Sequence, residues 1–223
     1  MKYSGWLLNL LMPVSIAMAF LWAPAAEGLG ESSRIIFFHV PAAWAAALGF
    51  VIAGVFSLMK LFSPARFFLV EEKAKNAVAL GMLFTVAGII SGAIWAKLTW
   101  GAYWNWDPRQ TSIVILMLIY IAYFSLWNAL EGNEARGKTV SAYLVIALVL
   151  MPFFFFVVPR LYPTLHPDPV INPEKKVNLD SAIRLTLLFS SIAFTLLFFK
   201  ILSVMNRISI INHRITESYD DEQ

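Results

Sequence analysis

The chain has 223 residues, 59% of them hydrophobic and 14% charged, with a mean hydropathy of +0.69. Soluble domains carry about 45–50% apolar and about 25% charged residues. The composition therefore excludes a disordered chain, a coiled coil and an ordinary water-soluble enzyme, and indicates a polytopic membrane protein. The 17 Lys and Arg outnumber the 14 Asp and Glu only slightly, for a formal charge of +3. That imbalance is too small for a nucleic-acid binder, so no nucleic-acid partner is expected. The absence of cysteine removes disulfides, zinc-thiolate sites, Fe–S clusters and thiol catalysis.

A helix crossing the hydrocarbon core needs about 20 mostly apolar residues. Six such stretches follow one another, at 5–23, 35–59, 76–96, 112–130, 140–158 and 183–204. Their length and lack of dyad alternation argue against strands or a barrel. The fold class expected is all-α, a six-helix transmembrane bundle forming one domain over 1–204, with a solvated cytoplasmic tail over 205–223. The first stretch has features of a signal peptide: Lys2 precedes an apolar run, and Ala23, Ala25 and Ala26 follow. However, Pro24 occupies the would-be cleavage region and the run is long for an h-region, so it reads as a retained helix.

An even number of spans puts both termini on one side of the bilayer. Ten basic residues fall on that side: Lys2, Lys60, Arg66, Lys73, Lys75, Arg136, Lys138, Lys200, Arg207 and Arg214. Seven fall on the other: Arg34, Lys97, Arg109, Arg160, Lys175, Lys176 and Arg184. The bias predicts cytoplasmic termini. The inner connections, Leu61–Lys75 and Glu131–Thr139, are short. The outer loops Pro24–Arg34, Lys97–Thr111 and Pro159–Ala182 are richer, and chemistry is expected there.

The most specific segment runs from Trp100 to Thr111 with the sequence WGAYWNWDPRQT. Counting Trp95, four of the eight tryptophans lie close together in this stretch. An aromatic belt at the lipid headgroups is one explanation. Asp107-Pro108-Arg109-Gln110 also forms a good helix start, with Asp107 as N-cap, Pro at N1 and Gln at N3, opening a helix from Ser112. Belts scatter their tryptophans around a bundle, whereas this loop joins aromatic rings to a carboxylate and a guanidinium. Such a platform suits a large, flat, hydrophobic ligand with negative groups at its edge, the rings covering its faces and Arg109 pairing with a carboxylate.

The three histidines differ in setting. His39 lies among Phe, Val and Ala near the outer end of the second span, where an imidazole is costly unless it is used. It could equally bond a carbonyl or sit at the water interface. His166 lies in a proline-stiffened outer loop, on the same side as His39 and the tryptophans. His213 falls in the tail and receives no role. Two outward imidazoles beside an aromatic platform suit axial ligation of a metalloporphyrin. The chain lacks HExxH or HxxEH spacing and GxSxG, and the expected outer loops hold no clustered carboxylate pair, which disfavours zinc catalysis and nucleophilic chemistry. The near absence of charge within the spans argues against an ion-coupled transporter.

Through these residues the sequence resembles the haem-handling proteins of cytochrome c biogenesis, the CcmC/CcmF/CcsA superfamily, and most of all the CcmC type. The shared features are the WGxxWxWD segment at Trp100, Gly101, Trp104, Trp106 and Asp107, the HVPAA segment at His39 to Ala43, and Thr-Leu-His at Thr164 to His166. Six spans and a chain of this length also fit the CcmC type. The resemblance implies a haem-binding and transfer protein, not an enzyme. It would sit in the bacterial inner membrane and present non-covalent haem b at the periplasmic face. His39 and His166 would be the axial ligands, and Trp100, Gly101, Trp104, Trp106 and Asp107 would form the platform. Arg109 is added on its position as the nearest cation. The implied partners are a CcmE-like periplasmic haem chaperone and CcmAB/CcmD-like membrane proteins. Two other readings stay open from the residues alone: a b-type membrane cytochrome or quinone oxidoreductase subunit, and a haem-free small-solute transporter.

Overall fold

The computed structural model describes residues 2–62, 69–166 and 180–220. Arg66, Lys175 and Lys176 of the charge comparison, and Pro167 to Pro169, lie outside the described residues. Among the described residues seven α-helices carry the fold: α1 (Lys2–Ala17), α2 (Ile36–Phe62), α3 (Val70–Trp100), α4 (Pro108–Ala129), α5 (Arg136–Pro152), α6 (Val158–Leu161) and α7 (Ser181–Asp220). Wide π-turns prolong α1 over Met18–Trp22 and join α5 to α6 over Phe153–Val157. Six of the resulting segments are long and apolar enough to cross a membrane. They match the six expected stretches, and no strand occurs among the described residues. The protein is an all-helical, multi-pass membrane protein.

Three helices extend past the apolar windows. α3 begins at Val70 and α4 at Pro108, not at 76 and 112, and α7 continues as helix through most of the tail. At about 1.5 Å per residue, the 40 residues of α7 run about 60 Å, roughly twice the hydrocarbon thickness. Side chains explain why the extensions stay helical. Asn76 Nδ2 donates to Asn206 Oδ1 and to Ser209 Oγ, both at 2.9 Å, which ties the start of α7's overhang to α3. Lys60 pairs with Glu71 at 2.5 Å. Lys75 and Arg136 both stand 4.5 Å from the centre of the Trp127 ring. Polar groups thus knit one end of the bundle together, and hydropathy averaging stops short of them.

α2 and α3 run antiparallel along most of their length and form the centre of the bundle. Lipid offers little hydrophobic drive between helices, so close approach through small residues carries the packing. Ala42, Ala45, Ala46 and Ala53 of α2 and Ala74 and Ala77 of α3 are all buried. A Cβ added at Gly49 would fall 2.8 Å from Gly81 Cα and 2.9 Å from the Ala77 carbonyl. Phe50 fills the layer beside this contact and stacks on Tyr120 of α4, ring centres 3.7 Å apart. At the other end of α2, Arg34 Nη1 donates to the Ala19 and Ala23 carbonyls at 2.5 and 2.9 Å while Arg34 Nε bonds Glu31. One guanidinium thus caps the end of the first span and fixes the entry of the second.

The backbone contact between α2 and α3 leads to a stability prediction. Gly49→Ala forces the two helices apart and should cost about 1–3 kcal/mol. Gly88→Ala, where an added Cβ meets nothing within 4 Å, should leave stability unchanged or slightly raised. Thermal unfolding of the two variants in one detergent checks the contrast.

Candidate functional site

The end of α1, the starts of α2 and α4, the end of α3 and the residues after α6 converge at one end of the bundle. α3 stops at Trp100 because Gly101 takes a left-handed conformation, φ +82°, open at low cost to glycine. Lys97 Nζ donates to the Gly101 carbonyl at 2.8 Å, so Gly101 shapes the turn. The following loop is tied to itself: Asn105 Nδ2 donates to the Ala102 carbonyl, and Gln110 Oε1 accepts from the Asn105 amide at 2.9 Å. Asp107 is the N-cap of α4, with Pro108 at N1, and Asp107 Oδ1 accepts from the Arg109 amide at 2.9 Å. The expected cap is present, but Gln110 reaches back to Asn105 and not to the cap residue.

The Asp107 carboxylate has a second task. Its side chain is fully buried. Oδ2 accepts from Thr164 Oγ1 and from the Leu165 amide, both at 2.7 Å. His166 Nδ1 stands 2.9 Å from Oδ1, too far off the ring axis for a good hydrogen bond. The His166 amide in turn bonds Thr164 Oγ1 at 3.2 Å. One carboxylate therefore fastens the loop carrying His166 onto the tryptophan loop. Burial alone would raise its pKa, but the Thr164, Arg109 and Leu165 donors, with His166 nearby, outweigh it and hold the carboxyl below its usual range.

The His166 ring is packed edge-on to Trp100, centres 4.9 Å apart, with Trp95 at 6.1 Å. Trp95 and Trp100 contact each other at 5.0 Å. Burial pushes the imidazole down to about 4, opposed by Asp107 and reinforced by the charges of Arg109 and His39. The ring is therefore neutral at neutral pH. With Nδ1 facing a carboxylate, the proton is best placed on Nδ1, which leaves the lone pair on Nε2. His39, in the first turns of α2, directs Nδ1 at Ser91 Oγ of α3, 3.0 Å away. Arg109 is close enough for its charge to act on both imidazoles. Trp104 and Trp106 form a second pair, edge to face at 5.6 Å; Trp104 is half-buried, and Trp106 is 77% exposed on a left-handed backbone, φ +56°. The expected residues thus lie at one end of the molecule. A groove of about 590 Å³ between α1, α2 and α7 is separate; it is lined by apolar groups such as Met12, Ile16 and Phe38. Among the described residues no three His, Asp or Glu side chains form a metal cage.

The family signature of CcmC, described as Heme exporter protein C, matches residues 1–220. The chain belongs to this family. Similar proteins include Heme exporter protein C of Bradyrhizobium diazoefficiens, 31% identical over 86% of this chain and 72% of that protein. That of Rhodobacter capsulatus is 29% identical over 92% and 84%, and that of Escherichia coli is 29% identical over 86% and 79%. CcmC membership thus agrees with the resemblance carried by the tryptophan segment and the segments around His39 and His166. Sequence reasoning did not mark Ser91, the cross-loop bonds of Asp107 or the bracing role of Thr164. A serine in an apolar helix carries no signal of its own, and the partners of Asp107 lie more than fifty residues away.

Two outcomes follow from this geometry. Asp107→Ala removes the oxygen that accepts from both Thr164 and Leu165, and hydrogen bonds to a charged group contribute about 1.5–3 kcal/mol each. Amide exchange at Leu165 should therefore accelerate by roughly tenfold or more, and unchanged exchange would contradict the bracing role. In ligand-free protein, NMR titration of His166 should give a midpoint near 4, against the ordinary 6.5, and Asp107→Asn should move it lower. The unfolded chain takes the proton first as pH falls, so stability drops between these two values and levels off below them.

Proposed function

We propose that the chain is a haem-binding and transfer protein of cytochrome c maturation, set in the bacterial inner membrane with its site at the periplasmic face and both termini in the cytoplasm. His39 and His166 serve as axial ligands to the iron of haem b. Trp100, Trp104 and Trp106 cover the porphyrin. Arg109 pairs with a propionate, and Gly101 and Asp107 shape and brace the loop that carries the rings. The observation that carries this reading is the pair of imidazoles at one end of the bundle. His39 has Nδ1 at hydrogen-bond distance from Ser91 Oγ, and His166 Nδ1 lies beside the Asp107 carboxylate, whose charge favours a proton there, so that Nε2 is the atom left to coordinate. Family membership supports it independently.

The donor set suits a metal that already has four equatorial ligands. Two neutral imidazoles supply the two axial positions, and large apolar rings supply the contact surface. Haem is here a cargo, and the chain's residues hold it without forming a bond to carbon. The ring at Trp106 stands open to the surroundings, which suits handover better than permanent burial. The acceptor is a CcmE-like periplasmic chaperone, with CcmAB- and CcmD-like membrane proteins as partners, and one axial bond exchanges for a ligand of the acceptor.

Protein purified in detergent from haem-replete cells should show a Soret band. His39→Ala and His166→Ala should each lose most of that absorbance while retaining the helical circular dichroism of the parent. Full haem content in both variants would sink the ligand assignment.

A further inference from the structure

His39 is held by a device on α3 that lies outside every sequence motif singled out above. Ser91 Oγ donates its own proton to the Ala87 carbonyl one turn back, at 2.7 Å, as serines in apolar helices commonly do. Its oxygen therefore faces His39 Nδ1, 3.0 Å away, as an acceptor. With the hydroxyl proton so placed, the imidazole supplies the proton of that contact, in the Nδ1–H tautomer that leaves the lone pair on Nε2. The next residue makes room for the ring. A Cβ on Gly92 would fall 2.8 Å from His39 Cε1 and 3.4 Å from Nδ1. The imidazole thus lies against bare α3 backbone at a point where any side chain would displace it.

We propose that Ser91 and Gly92 are the positioning residues for His39: Ser91 Oγ holds the proton on Nδ1, and Gly92 leaves the space in which the ring presents Nε2 to haem iron. The inference rests on the haem reading above. It deepens that reading by making the two ligands unequal, one set by a neutral hydroxyl on a helix and the other by a buried carboxylate between loops. Outer partners of a metal-bound imidazole orient the ring and raise its basicity, and their loss commonly costs about 10–100-fold in affinity.

The test compares Ser91→Ala, Ser91→Thr and Gly92→Ala with wild-type and His39→Ala protein in one detergent. In haem-free protein labelled with 15N-histidine, His39 should report the Nδ1–H tautomer in wild-type and Ser91→Thr protein, and lose that preference in Ser91→Ala. In haem-loaded protein, Ser91→Ala should release haem to a soluble scavenger about tenfold or more faster. Its reduction potential should shift upward, because a weaker donor favours Fe(II), and Ser91→Thr should restore both. Gly92→Ala should lose the six-coordinate spectrum. A wild-type tautomer, release rate and potential in Ser91→Ala, beside a defective His39→Ala, overturn this inference alone. Haem binding undiminished in His39→Ala protein overturns His39 as a ligand, and the iron-directed half of this inference with it, whereas wild-type protein that takes up no haem overturns the haem reading.

Discussion

The site depends on one buried carboxylate. Asp107 caps α4 through the Arg109 amide and holds Thr164 and Leu165 across more than fifty residues of sequence, while its charge faces His166. A carboxylate out of contact with water is tolerated only when its lone pairs are occupied, and here the donors come from two separate loops. Desolvation therefore works in favour of the assembly: with either loop displaced, Asp107 would be left buried with partners missing. The same group governs the imidazole, since a carboxylate beside Nδ1 favours a proton there. The closing of the two loops on each other and the setting of the His166 ring are one electrostatic event.

The rest of the bundle supplies what that carboxylate cannot. The close backbone approach of α2 and α3 at Gly49 and Gly81 sets the register in which His39 meets Ser91 and Gly92. At the far end, the Asn76–Asn206–Ser209 bonds, the Lys60–Glu71 pair and the cations on Trp127 fix the ends of the same helices. The protein is thus stapled by polar groups at both ends and packed by small residues between them. This division of labour is expected where the surrounding solvent is hydrocarbon.

Much of this was legible in the sequence, for physical reasons that differ from residue to residue. The six spans follow from hydropathy because lipid imposes a length and a composition. Asp107 as a cap follows from its place before Pro108. The tryptophan segment stands out because it gathers aromatic rings beside a carboxylate and a guanidinium, His39 because an imidazole is costly in lipid, and His166 because the span count puts it on the same side as both. The helix ends were read short, because averaging penalises Glu71, Lys73 and Lys75, whereas the folded protein pairs or stacks such groups and keeps them helical. Ser91 and Gly92 were missed because both are ordinary in a membrane helix; only the neighbouring helix gives them meaning. Thr164 was visible as part of a motif, but its bond to Asp107 required the fold.

Trp106 shows what the tryptophan loop sacrifices. A bulky side chain in the left-handed region is disfavoured by about 1–3 kcal/mol, and the indole recovers little of this by burial, being 77% exposed. A glycine or asparagine would satisfy this backbone more readily. The isolated protein therefore holds an unfavourable backbone together with a water-facing ring, and both costs are present before anything binds. A molecule that covers that ring regains the desolvation energy the fold left unused, so part of its affinity is prepared in advance by the chain itself.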